Sequence, residues 1–198
     1  MLEMIRGCKV PFIDKLAQQY QVQEQGLIAN VGADKIQEVF EHFITLQNEP
    51  IFFILELPTN QNDEQSLREN DNSSAHKDIY YIDGLNEKQA LQVLKSYGEL
   101  LIHDGMCQFG FGFHDYSAEI MKNSYNIVTI WTQCPDQYQD VFEEHGIEKT
   151  NKLITAWNTF DYNNPGQCRM IEVDGMCVYD LPKELETWGI YLAEQRPE

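Results

Sequence analysis

Two side chains that together could run thiol chemistry, Cys107 and His114, stand seven residues apart. A thiol nucleophile needs its imidazole base within hydrogen-bond reach. Between them runs Gln108-Phe109-Gly110-Phe111-Gly112-Phe113, which alternates as a β-strand does. On a strand, opposite parity puts Cys107 and His114 on opposite faces, and ~3.3 Å per residue separates them by more than about 20 Å. His103 shares a face with His114 if the chain reverses at Asp104-Gly105. It then lies at the turn, with His114 far up the partner strand, and a metal ion with bonds about 2 Å long does not bridge them. The five cysteines, Cys8, Cys107, Cys134, Cys168 and Cys177, are an odd, scattered set without a CxxC pair. That is the pattern neither of a disulfide framework nor of a zinc site.

Other chemistries are missing as motifs. No GxGxxG opens a helix and no Walker loop occurs. There is no GxSxG elbow and no HExxH. The glycines of 109–113 alternate with phenylalanine inside a strand pattern and no lysine follows, so a phosphate loop is not expected there. The expectation is no catalytic residue, no metal and no cofactor.

Charge narrows the partners. The chain has 32 acidic against 14 basic residues and a formal net charge of −18. A field of that sign repels nucleic-acid phosphates and anionic lipid and favours basic partners. Lys and Arg are spread without a run. No segment approaches the roughly 20 apolar residues that span a bilayer. Residues 1–6 lack the basic-then-apolar pattern of a secretory signal. Scattered free cysteines fit a reducing cytosol. The expectation is a cytoplasmic protein with no nucleic-acid or membrane partner.

The elements that would position any site follow from periodicity. At 198 residues, 42% hydrophobic and 12% aromatic, one domain with a real core is expected over 1–198. Pro11, Phe12, Ile13, Leu16, Ala17 and Tyr20 predict a short helix over 11–20. Asp34 caps a second, with Ile36, Val39, Phe40, Phe43 and Ile44 on its buried stripe and His42 beside it. The apolar run 51–57 reads as a strand covered on both faces. Residues 59–78 are polar and read as a mobile insertion. A strand over 78–83 leads to Asn86, an N-cap for a helix carrying Ala90, Leu91, Leu94 and Tyr97 that stops at Gly98.

Asp104-Gly105 and Asp174-Gly175 each sit between apolar runs and predict two-residue hairpins, because a type I′ turn needs φ > 0 at both central positions. The first hairpin sets Cys107, Phe109, Phe111 and Phe113 on one apolar face, with Gly110, Gly112 and His114 on the other. Residues 125–132 and 153–160 read as strands, with a helix opened by Pro135 and closed by Gly146 between them. The second hairpin leaves Cys168 and Cys177 about four residues apart along the ladder, too far to bridge. Pro182 starts a last helix to Trp188, 190–193 adds a strand, and 195–198 frays. This is an α+β fold: a mainly antiparallel, meandering sheet of about six to eight strands with four to five helices packed on it.

Two stretches could bind something. Paired glycines on one strand face mark packing, curvature or a ligand. An enzyme or small-ligand site there would use Gly110, Gly112, His114 and Asp115 and would need a deep pocket. The loop 161–166, after Trp157, exposes an acid, a phenol and two amides on strong turn chemistry. The candidate partner-binding residues are Gly110, Gly112, His114, Asp115, Trp157, Asp161 and Tyr162.

The Phe/Gly strand at 109–113, the strand-turn at 154–166 and the tail Val178-Tyr179-Asp180-Leu181-Pro182 give the chain a texture that resembles the small acidic immunity proteins of bacterial toxin systems. The resemblance implies a non-catalytic cytosolic module that binds and neutralises a basic toxin, and carries over no individual residue. An anionic surface would speed such an association. A homodimer, with the glycine face closed by a second copy, is the remaining arrangement.

Overall fold

The computed structural model describes residues 2–46, 50–59, 76–114 and 118–197. Most of the polar insertion, and Asp115, lie outside the described residues. In chain order the strands are β1 (Cys8–Lys9), β2 (Gln19–Gln23), β3 (Gly26–Asn30), β4 (Ile51–Pro58), β5 (His76–Leu85), β6 (Gln108–Phe113), β7 (Ala118–Lys122), β8 (Ile127–Trp131), β9 (Glu148–Lys149), β10 (Gln167–Cys168) and β11 (Tyr191–Pro197). The α-helices are α1 (Ile36–Thr45), α2 (Glu87–His103), α3 (Asp140–Glu143) and α4 (Leu181–Glu184). Nine strands form one sheet in the order β11-β5-β4-β6-β7-β8-β3-β2-β9, and β1 pairs with β10 in a separate ribbon. Among the described residues every strand pairing is antiparallel except β2 with β9. The fold is α+β, with a wider sheet than the sequence predicts.

Its centre follows from two periodicities meeting. The period-3.6 stripe of α1, from Ile36 to Ile44, is fully buried. It lies on the period-2 face of β6: the Phe40 ring lies tilted 4.9 Å from Phe109, and Phe43 lies 5.4 Å from Phe113. Phe111 adds a contact with Phe53 of β4 at 5.3 Å. Each such aromatic burial contributes about 1.5–3 kcal/mol. The opposite face of the same strands buries a small second cluster, Phe52, Ile54, Ile79 and Met121, so 51–57 is covered on both sides as its continuous apolar run predicts.

The first Asp-Gly pair is not a hairpin. Helix α2 runs on through Gly98 to His103, because Leu100, Leu101 and Ile102 extend its apolar side and bury there. Gly98 is an ordinary helical residue; a methyl there would meet only Gln37 and Leu94 side-chain atoms at 3.5 Å or more. Asp104 is the C-cap in extended backbone, φ −70° and ψ 137°. Its buried carboxylate accepts the Met106 and Cys107 N–H groups at 2.7 and 2.9 Å and the Ile171 N–H at 3.0 Å. Beside it, fully buried Lys122 donates from Nζ to the carbonyls of Asp104 (2.6 Å) and Cys107 (3.3 Å).

The second pair does turn. Asp174 and Gly175 have φ of 52° and 80°, and Val173 bridges Met176 through two 3.0 Å bonds. Its flanks are not strands: one isolated bridge is all that forms. Three other expectations also fail. Residues 11–20 hold only a 3₁₀ turn, Ile13–Lys15, before β2, because Tyr20 and Val22 alternate with glutamines and pair with β3. Residues 153–160 form a capped 3₁₀ turn instead of a strand. Residues 195–197 do not fray; they pair with 76–78 as the end of β11, so 76–78 belongs to β5 and not to the insertion.

Candidate protein-binding surface

Segment 153–164 is anchored from below and open above. Asn30 of β3 donates to the Ile154 carbonyl (2.8 Å), and Gln21 of β2 accepts the Leu153 N–H (2.9 Å). Thr155 and Asn158 cap the turn reciprocally, with Asn158 Oδ1 taking the Thr155 N–H at 2.8 Å. Ala156 is buried, which leaves the next residue, Trp157, 60% exposed. Its indole is braced edge-on by Tyr125 (5.0 Å) and Phe160 (5.5 Å). It is therefore a large apolar face with little rotamer freedom left to lose.

The loop beyond is locked by one carboxylate. Asp161 Oδ1 accepts the N–H groups of Asn163 (2.8 Å) and Asn164 (2.9 Å) and the Asn164 side-chain amide (3.0 Å). These donors, the Asn164 amide first, hold the Asp161 carboxyl below the usual carboxylate range. The Asx turn they make puts Tyr162 at its apex, 100% exposed. At the base, Gly166 lets the chain pass the Phe160 ring and the Tyr125 hydroxyl; a methyl there would overlap both. Exposed Ile154 extends the apolar area beside a cavity of about 620 Å³ rimmed by Lys15 and Lys152. The surface thus combines a braced indole, a fully exposed phenol, an acid and amides, with two lysines at its rim.

The glycine face is closed by the chain itself. A methyl on Gly112 would enter the Phe52 ring, and one on Gly110 would overlap the Ile120 carbonyl and the Met121 sulfur. Both glycines are buried. His114 is exposed at the strand's end, its ring 4.7 Å from that of Phe52 and its Nε2 3.3 Å from Asp83 Oδ1. The structure thus separates the expected residues into two groups: Trp157, Asp161 and Tyr162 gather on one surface, while Gly110 and Gly112 lie under side chains and His114 stands at their edge.

The expected thiol–imidazole separation holds, with β6 lying between Cys107 and His114. Cys107 is fully buried, and burial pushes its thiol up to about 12. His103, at the end of α2, does not share a strand face with His114; its Nδ1 accepts the Arg6 N–H at 3.3 Å. Among the described residues no three His, Cys, Asp or Glu side chains are placed to hold a metal ion. One pairing escaped the sequence: His42 of α1 and His145 after α3 face each other at 5.5 Å beside a cavity of about 710 Å³. The sequence places His42 beside the stripe of its helix, but only the packing of α1 against α3 brings His145 to it.

No described helix is long and apolar enough to cross a membrane. No protein-family model, curated protein or solved structure matches this chain.

Proposed function

We propose that the chain is a non-catalytic protein-binding module that docks a basic partner on the surface built by Ile154, Trp157, Asp161 and Tyr162. The observation that carries this is Tyr162, a fully exposed ring at the tip of a loop whose backbone one carboxylate fixes. An aromatic kept in water costs the chain burial it could have had, and the neighbouring Trp157, braced by Tyr125 and Phe160, loses little entropy on docking. The net charge of −18 supports a basic partner, since it would steer encounter. An immunity role, in which a cytosolic inhibitor blocks a basic toxin, fits these properties and the resemblance that the sequence carries.

The test is capture from native lysate at low salt by immobilised protein, run beside a Trp157→Ala/Tyr162→Ala variant. A captured basic protein is then purified and titrated. Two anchors at about 2 kcal/mol each predict a loss of affinity of roughly a thousandfold in the variant, and binding that weakens as salt rises. Equal capture by both forms, or affinity indifferent to salt, refutes the proposal.

A further inference from the structure

The ribbon of β1 and β10 sets two cysteines face to face. Cys8 and Cys168 are direct partners in its register, and their sulfurs lie 3.2 Å apart. Beside them the Arg169 N–H donates to the Gly7 carbonyl at 2.8 Å. Cys8 and Cys168 are therefore a non-hydrogen-bonded pair, the site in an antiparallel ladder where side chains approach most closely and where the Cα separation suits a disulfide. The ribbon cannot drift apart easily. Gly7 donates to the His103 carbonyl (2.8 Å) and Gly105 to the Arg169 carbonyl (3.1 Å), so the end of α2 clamps both strands.

The two thiols differ in access and in charge. Cys8 is buried; Cys168 is partly exposed and lines a cavity of about 430 Å³ together with Lys9, Gly166 and Arg169. Behind the pair stand the buried ammonium of Lys122 and the hydroxyl of Tyr125. Cys8 hydrogen-bonds to Cys168, and this bond first, with Tyr125 and Lys122 adding, pulls the Cys168 thiol below its ordinary value. The same bond, with burial, pushes Cys8 up. A more acidic, reachable sulfur thus sits in contact with a less acidic, buried one, the arrangement of an attacking and a resolving cysteine.

We propose that Cys168 and Cys8 form a redox-active dithiol that reacts with hydroperoxides and closes to a disulfide across the ribbon. The Cys168 thiolate attacks one oxygen of the peroxide; the O–O bond breaks, Cys168 becomes a sulfenic acid, and the departing hydroxide takes up a proton to leave as water. The Cys8 sulfur then attacks the sulfenic sulfur, the S–O bond breaks, and the hydroxyl departs as water with the Cys8 proton. Two thiols are oxidised and one hydrogen peroxide is reduced to two waters. The bond would join residues 160 apart in the sequence.

The test treats the full chain with hydrogen peroxide, removes the peroxide, unfolds the chain in urea, alkylates the remaining thiols and maps peptides by mass spectrometry. The expected product links the peptides of Cys8 and Cys168, leaves the other three cysteines alkylated, and disappears with dithiothreitol. In Cys8→Ser the sulfenic acid persists on Cys168 and is trapped by dimedone. A second measurement needs no variant: in the wild type, alkylation of Cys168 by iodoacetamide should reach its plateau at a lower pH than that of a cysteine in a short peptide. Its pH course is set by Cys8, Tyr125, Lys122, Lys9 and Arg169 around it. Peroxide that oxidises other cysteines while Cys8 and Cys168 stay unlinked, or a Cys168 that titrates no earlier than the peptide thiol, overturns the proposal.

Discussion

Substituting alanine at the two Asp-Gly glycines should give unequal losses of stability, for different reasons. Gly175 has φ +80° and nothing within 4 Å of where a methyl would go. Alanine there carries only left-handed strain, about 1–2 kcal/mol, less the ~0.4–1 kcal/mol it removes from unfolded-chain entropy. The net loss is about 1 kcal/mol. Gly105 is not left-handed, but a methyl on it would overlap the Gly7 carbonyl oxygen and sit 2.9 Å from the Arg169 nitrogen, both backbone atoms. Relief means opening the ribbon clamp. Overpacking costs about 1–3 kcal/mol, and the Gly105–Arg169 and Arg169–Gly7 bonds are worth about 0.5–1.5 kcal/mol each.

A loss of about 3 kcal/mol follows for Gly105→Ala. For a chain of this size that is roughly a 6–12 °C fall in Tm, against about 2–4 °C for Gly175→Ala. Urea unfolding followed by far-ultraviolet circular dichroism measures both. Asparagine separates the mechanisms, since it tolerates left-handed backbone: Gly175→Asn should recover much of the loss and Gly105→Asn none. Equal losses at the two sites, or recovery by asparagine at 105, would refute the close-approach argument and restore the turn.

Three further outcomes are expected. Lys122→Met strands the Asp104 and Cys107 carbonyls in the core and should cost about 2–4 kcal/mol in the same urea assay. His103 is held below its ordinary value by burial and then by Arg6. Its contribution is therefore complete above the ordinary histidine range and is lost as pH falls through it; His103→Asn, which keeps an acceptor for the Arg6 N–H, should flatten the stability profile between about pH 7 and 5. Glu119 is raised by burial and by Glu56, so it stabilises the protonated fold and costs stability once pH rises through its folded value. Glu119→Gln should accordingly unfold at a higher urea concentration than wild type at pH 7.

Long amphipathic patterns were readable from sequence, and short ones were not. The stripe of α1, the Asn86 cap and the phenylalanine face of β6 each repeat a period often enough to leave one solution. Leu100-Leu101-Ile102 could not be decided locally, because three apolar residues fit a helix end and a strand equally. What decided it was the buried carboxylate of Asp104, whose third donor is Ile171, 67 residues away. The strand pattern over 153–160 lost to Thr155–Asn158 capping, a signal that was present but outweighed by β-branched and aromatic content. Trp157 and Tyr162 were legible because turn chemistry surrounds them. The Cys8–Cys168 pair had no local signal at all, since only a two-residue pairing between distant segments brings the sulfurs together.

The sheet order bears on how the chain can assemble. Strands β6, β7 and β8 are contiguous in sequence and adjacent in space, so they can form a nucleus early. Strand β3 must then travel back to dock on β8, with Ala29 opposite Val128, and β4 must travel back to dock on β6, with Phe53 opposite Phe111. Such distant pairings pay loop-closure entropy before they gain contacts and slow folding towards milliseconds to seconds. Until both arrive, the flanks of the nucleus are bare strand borders that another molecule could occupy, so refolding yield should fall as protein concentration rises.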